Sequence, residues 1–186
     1  MLENMRKLLI VIDMQNDFID GSLGSAEAQA IIPNVKNKIE QYIANGNQII
    51  FTRDTHYSDY SRTQEGKKLP IQHCIRDTYG WQIGIKATPG SYKIINKLSV
   101  GYYDWKSFLS QYFNTPFEAL DQGDLTIELI GLDTDICVIS NAIIIKAAYP
   151  ETNIVVDASC CAGSTPEKHK AALDIMKSCQ IDVIGE

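Results

Sequence analysis

Six short runs of apolar, largely β-branched residues recur along the chain and restrict its fold more than any other feature. They are Leu8–Ile12, Gln48–Thr52, Tyr92–Asn96, Leu125–Ile130, Asn153–Val156 and Gln180–Ile184. Their hydrophobicity is nearly continuous rather than alternating, the pattern of strands covered on both faces. Helical spacings lie between them. Ile32, Val35, Ile39, Tyr42 and Ile43 share one face, and Ile136–Ala148 is apolar on most sides, which predicts a well-buried helix. Thr165 as N-cap, Pro166 at the first helical position and Glu167 in the first turn predict a last helix, with Ala171, Ala172, Ile175 and Met176 on its apolar face. Strand and helix in alternation predict an α/β fold, a parallel sheet with helices on both sides. Ligands of such sheets bind beyond the carboxyl ends of the strands, near the point where strand order reverses.

A chain of 186 residues suits one domain, here taken as 1–186, with a polar insertion over about 54–90. Unstructured stretches of that length usually carry function. The net charge of −6 gives no electrostatic footprint for nucleic acid and no basic patch for an anionic membrane. The longest apolar run, Ala142–Ala148, is too short to span a bilayer and is interrupted by Lys146. Leu8–Ile12 is too brief for the core of a signal peptide. Five cysteines, an odd number without framework spacing, read as reduced thiols of a cytoplasmic protein. Apolar helix faces leave room for a homo-oligomer.

The reactive side chains gather at the ends of the apolar runs. Asp13 ends the first, Asp54 and His56 follow the second, Lys97 ends the third, and Cys137 comes just after the fourth. Gly131–Cys137 reads as strand, turn and helix start. Free backbone N–H groups and the helix dipole there would depress a thiol pKa and could hold an oxyanion. A buried structural cysteine is the competing reading. Asp13 could equally cap a turn, with Asn16 and Asp17 sharing that work, and Lys97 could be a solvated surface lysine. A base and a cation beside Cys137 would shift the balance towards a nucleophile.

Asp54, His56, Glu65 and His73 form a second constellation, in the polar insertion. Carboxylate with imidazole suits a borderline divalent cation such as zinc, or manganese or iron. A polar loop with incidental acids is the competing reading. Cys74 is a rival ligand, although adjacency to His73 makes joint use awkward. His169, on the last helix, is expected to lie away from these strand ends, structural or exposed.

These residues resemble those of the isochorismatase-like cysteine hydrolases, nicotinamidases most closely, over nearly the whole chain. The carriers are Asp13-Met14-Gln15-Asn16-Asp17-Phe18 and Gly131-Leu132-Asp133-Thr134-Asp135-Ile136-Cys137-Val138, the latter similar to the family's G-x-x-T-D-x-C-V segment. Asp54-x-His56 and Pro70-Ile71-Gln72-His73-Cys74 resemble a nicotinamidase metal loop, with Glu65 where some members supply a third ligand. Ser159–Leu173 resembles the family's C-terminal segment. The resemblance implies a three-layer α/β/α fold with a six-stranded, mostly parallel sheet. It implies an Asp13–Lys97–Cys137 triad and a cis peptide at Leu132–Asp133. Oxyanion donors would be the backbone N–H groups of Asp133 and Cys137, and Phe18 and Leu23 would wall the pocket. One divalent metal ion would sit on Asp54, His56, Glu65 and His73.

The implied reaction is hydrolysis of a small carboxamide, nicotinamide first, through a thioester. The sequence departs from the nicotinamidase pattern in having Leu69 before Pro70 where an aromatic residue is usual. It has one more residue before His73, and Leu98–Tyr103 replaces the usual pattern after Lys97. Hence a metal-independent hydrolase of an N-carbamoyl compound stays open, as do a non-catalytic binding subunit and a zinc hydrolase with an inert Cys137.

Overall fold

The six apolar runs become six strands of one sheet in the computed structural model, which describes residues 6–85, 90, 92–122 and 125–186. In chain order the elements are β1 (Arg6–Ile12), α1 (Asn16–Ile19), α2 (Ala26–Ala30), α3 (Ile32–Ala44), β2 (Gln48–Asp54), α4 (Gln64–Lys68), β3 (Lys93–Lys97), α5 (Trp105–Tyr112), α6 (Phe117–Leu120), β4 (Leu125–Leu132), α7 (Ile139–Ala148), β5 (Asn153–Ala162), α8 (Pro166–Ser178) and β6 (Asp182–Ile184). All five strand pairings are parallel, in the order β3-β2-β1-β4-β5-β6. The chain steps outward from β1 through β2 to β3, then crosses back to place β4 on the other side of β1. That reversal puts the switch point between the carboxyl ends of β1 and β4, which lead into Asp13 and Cys137.

The strand cores are apolar because both faces are covered. Leu8 to Ile12 of β1 and Leu129, Ile130 and Leu132 of β4 are fully buried. α3 packs on one face, touching β2 and β5, with Val35, Ile39 and Tyr42 inward. α5, α7 and α8 pack side by side, on the other face as right-handed crossovers require. Gly131 pairs with Ile12 in this centre. Its φ is +121°, and a Cβ there would come within 2.1 Å of the Ile12 carbonyl oxygen, so only glycine fits.

Two elements differ from the sequence expectation. β5 runs past Val156 to Ala162, because Asp157, which reads as a strand-ending charge, is neutralised by Lys38 at 2.8 Å. The run Ile136–Ala148 is not one α-helix. Thr134–Val138 forms a wider, π-type turn in which the Val138 N–H donates to the Asp133 carbonyl at 3.0 Å, and α7 begins only at Ile139. Nor is this stretch buried all round, since Ile136 and Ile143 are over one-third exposed on the side away from the sheet. Of the expected insertion, residues 86–89 lie outside the described residues, as do residues 1–5 at the chain start. No helix among the described residues is long and apolar enough to cross a membrane.

Candidate active site

β1, β3 and the turn after β4 deliver an acid, an amine and a thiol to one buried point. Asp13 and Lys97 are almost completely buried, and Cys137 is 6% exposed. Lys97 Nζ lies 2.6 Å from Asp13 Oδ2, 3.5 Å from Cys137 Sγ and 3.4 Å from Asp54 Oδ1, and donates to the Ser99 carbonyl at 3.0 Å. Asp13 adopts φ +45° as it leaves the strand. Its N–H donates to Thr52 Oγ1 at 3.2 Å, and that hydroxyl donates to Asp13 Oδ1 at 2.7 Å. The other oxygen, Oδ2, is ion-paired with Lys97 by distance yet accepts no aligned hydrogen bond. It therefore keeps a lone pair in the site.

The electrostatics correct one expectation. A thiol at a helix start was expected to have a depressed pKa. Burial instead pushes the Cys137 thiol well up; Lys97 pulls it back down, and the Asp13 and Asp54 carboxylates add to the rise. Burial also raises Asp13, against the pull of Lys97. Burial would lower Lys97, but Asp13, Cys137 and Asp54 hold its ammonium protonated far above neutrality. Burial thus favours the neutral thiol and raises the proton affinity of the carboxylate near it, with a fixed cation beside both.

The second constellation also assembles. One ligand atom from each of Asp54, His56, Glu65 and His73 lies within 4.8 Å of the others. His56 Nε2 is 3.0 Å from Asp54 Oδ2 and 3.5 Å from Glu65 Oε1, while His73 Nε2 is 3.6 Å from each of those carboxylates. Despite the short approach, the buried His56 Nε2 has no aligned hydrogen bond. His73 Nδ1 meets the Ile71 carbonyl at 2.8 Å, a contact that leaves Nε2 as the free acceptor. This donor set fits a divalent cation. Cys74 is buried, stands outside the group, and gives its N–H to Asp17 Oδ2 at 2.7 Å.

The Phe18 ring is tilted against His73 at 5.6 Å, and Leu23 is half-buried against the core. The Leu132–Asp133 peptide is cis, as the resemblance implies.

Several contributors have roles that the sequence did not assign to them. Gln15 Nε2 donates to the carbonyls of Asp54 and Trp81, both at 2.9 Å, and its Oε1 accepts from the Asp54 N–H at 2.7 Å. Asn16 Nδ2 donates to the Tyr79 carbonyl at 2.8 Å. Asn16 and Asp17 therefore clamp the loop that carries His73 instead of merely capping a turn. Tyr60 packs edge-on against His56 and His73 and donates to the Leu69 carbonyl at 2.8 Å. His169 is not remote from the strand ends: its Nδ1 lies 2.8 Å from Thr134 Oγ1, because α8 starts beside the carboxyl end of β4.

Fold and site define a class: a parallel α/β protein that buries an acid, an amine and a thiol together at the strand carboxyl ends, beside two imidazoles and two carboxylates. Residues 7–185 match the Isochorismatase domain, and the chain belongs to the isochorismatase family. It is similar to the uncharacterized isochorismatase family protein PncA of Bacillus subtilis, 31% identical over 174 residues that cover 91% of this chain and 93% of that protein. It is also similar to the solved nicotinamidase/pyrazinamidase PncA of Bacillus subtilis, 25% identical with a TM-score of 0.79 over 97% of this chain and 100% of the other. The pyrazinamidase of Pyrococcus horikoshii, solved in complex with zinc, shares the fold at 24% identity and a TM-score of 0.81, covering 97% and 99%.

Proposed function

We propose that the chain is a cysteine amidohydrolase that cleaves nicotinamide to nicotinate and ammonia through a thioester on Cys137. The observation that carries this reading is the buried ammonium of Lys97, 2.6 Å from a carboxylate oxygen and 3.5 Å from a thiol sulfur. Burying such a cluster is costly in water-free surroundings. A silent binding subunit gains nothing from it, whereas a covalent catalyst does. Similarity to nicotinamidase/pyrazinamidase PncA supports the choice of amide.

Asp13 takes the proton from Cys137 Sγ, and Lys97 steadies the thiolate. Sulfur attacks the carboxamide carbon, while the backbone N–H groups of Asp133 and Cys137 hold the oxyanion. Asp13 returns its proton to the departing nitrogen, ammonia leaves and a thioester remains. The carboxylate then takes a proton from water, hydroxide adds to the thioester carbon, and collapse releases the acid and restores the thiol. Phe18 and Leu23 wall the substrate pocket.

A divalent ion, which we take to be zinc rather than manganese or iron, would be held by Asp54, His56, Glu65 and His73 and supply Lewis acidity to the substrate region. A metal-independent hydrolase of N-carbamoyl compounds could use the same three residues, but it would leave these four converging side chains without work. Five free thiols suit the reducing cytoplasm, where we place the protein.

Ammonia release from nicotinamide, pyrazinamide and N-carbamoyl substrates tests the reading. Nicotinamide turnover is expected, falling roughly 10³-fold or more in Cys137→Ala. Undiminished turnover in that variant would overturn it.

A further inference from the structure

The turn that carries Cys137 is fastened from outside by the junction between β5 and α8. Thr134, the first residue of the turn, is fully buried, and its hydroxyl lies 2.8 Å from His169 Nδ1. The next residue, Asp135, accepts the Ser164 N–H on Oδ1 and the Ser164 hydroxyl on Oδ2, both at 2.7 Å. Gly163 lets the two segments close: a Cβ there would stand 2.7 Å from Asp135 Oδ1 and 2.9 Å from His169 Cα. His169 is itself set by the helix start, since its N–H donates to the Thr165 carbonyl at 2.9 Å and Thr165 Oγ1 caps the Lys168 N–H at 3.2 Å. β4 leads directly into the same end of the turn through Leu132. Cys137 thus stands on a short segment whose entry is held by β4, by the Asp135–Ser164 bonds and by the His169 imidazole.

We infer that His169 is a positioning residue for the nucleophile: through Thr134 it fixes the turn so that Cys137 Sγ stays within reach of Lys97 and the Asp133 and Cys137 amides stay aligned. His169 touches neither Lys97 nor Asp13 by any described bond and takes no proton in the reaction. Its partner atom is the Thr134 hydroxyl, which either donates to a neutral Nδ1 or accepts from a protonated one. This inference rests on the proposed thioester chemistry at Cys137. It adds that the alignment of the sulfur depends on a residue of α8, separated from it in sequence by α7 and β5.

Removing the imidazole should misalign the turn without emptying the substrate pocket. His169→Ala is therefore expected to lower kcat about tenfold with KM changed less than about twofold, the size of one net hydrogen bond at the reacting end. It should slow alkylation of Cys137 by iodoacetamide to a similar extent. His169→Asn places an amide atom where Nδ1 stands and should recover most of both rates. Thr134→Val should match His169→Ala, and the double variant should lose little more, because both remove one bond.

Full kcat and full alkylation rate in His169→Ala, with Cys137→Ala inactive, would overturn this inference while leaving the proposed reaction standing. Activity retained in Cys137→Ala would instead remove the proposed reaction itself. If His169→Ala melts much earlier, His169→Asn decides: an Asn variant that is stable yet as slow as Ala contradicts the role.

Discussion

Thr52 holds one oxygen of Asp13 so that the other is left facing Lys97. A base must be aimed as well as basic, and this hydroxyl does the aiming. Thr52→Val keeps the β-branched shape and removes the bond. The expected result is a kcat reduced about tenfold, with a stability loss of about 1 kcal/mol by denaturant unfolding. An unchanged kcat would show that Lys97 alone orients the carboxylate. At this scale the sequence was readable wherever chemistry follows the end of an apolar run, as Asp13, Asp54, Lys97 and Cys137 do. Thr52 was hidden because inside a strand it reads as a β-branched filler, and Gln15 because its three bonds go to backbone atoms distant in the chain.

α3 is pinned to the sheet by charge as well as by Val35, Ile39 and Tyr42. Lys38 Nζ lies 2.6 Å from Glu128 on β4 and 2.8 Å from Asp157 on β5, and Tyr42 donates to Glu128 Oε2 at 2.6 Å. Burial raises Asp157, but bonds from Lys38 and Ser159 prevail and hold its carboxyl below the ordinary range. A depressed folded pKa contributes stability above the unfolded value, near 4, and that contribution is lost as pH falls through the folded pKa. Lys38→Met leaves two buried carboxylates without their cation. It should cost about 3 kcal/mol at neutral pH, and the gap to wild type should narrow as the solution is acidified below about pH 4. Chemical unfolding across pH checks both parts; a gap that widens in acid would contradict the assignment. The same triad explains why β5 was only half legible. Asp157 looks like the end of a strand until the lysine that neutralises it, on a helix far away in sequence, is known. The strands themselves were legible from continuous hydrophobicity, whereas their order in the sheet is set by long-range packing that no local period encodes.

The whole molecule brings both clusters and their supporting residues to one edge because a parallel sheet aligns all its carboxyl ends. The four candidate metal ligands and the acid–amine–thiol cluster meet at Asp54, which contributes Oδ2 to the histidines and Oδ1 to Lys97. Their coupling through one carboxylate would make metal binding a property of the assembled fold. Purified protein is expected to take up one zinc ion per chain and to melt at a higher temperature with zinc than without. His56→Ala and His73→Ala should each abolish that stoichiometric uptake, as measured by elemental analysis, while retaining the helix and strand content of the wild type. Zinc bound equally by both variants would show that the four side chains are not its site. The overall α/β reading was available from sequence; the meeting of both clusters at Asp54 was not, since it depends on β2 lying between β1 and β3.

The most direct measurement is mass spectrometry of the protein quenched in acid during turnover of nicotinamide. A nicotinoyl group is expected on the peptide containing Cys137, present in wild type and absent in Cys137→Ala. Steady release of ammonia with no acyl group on Cys137, continuing in Cys137→Ala, would contradict it.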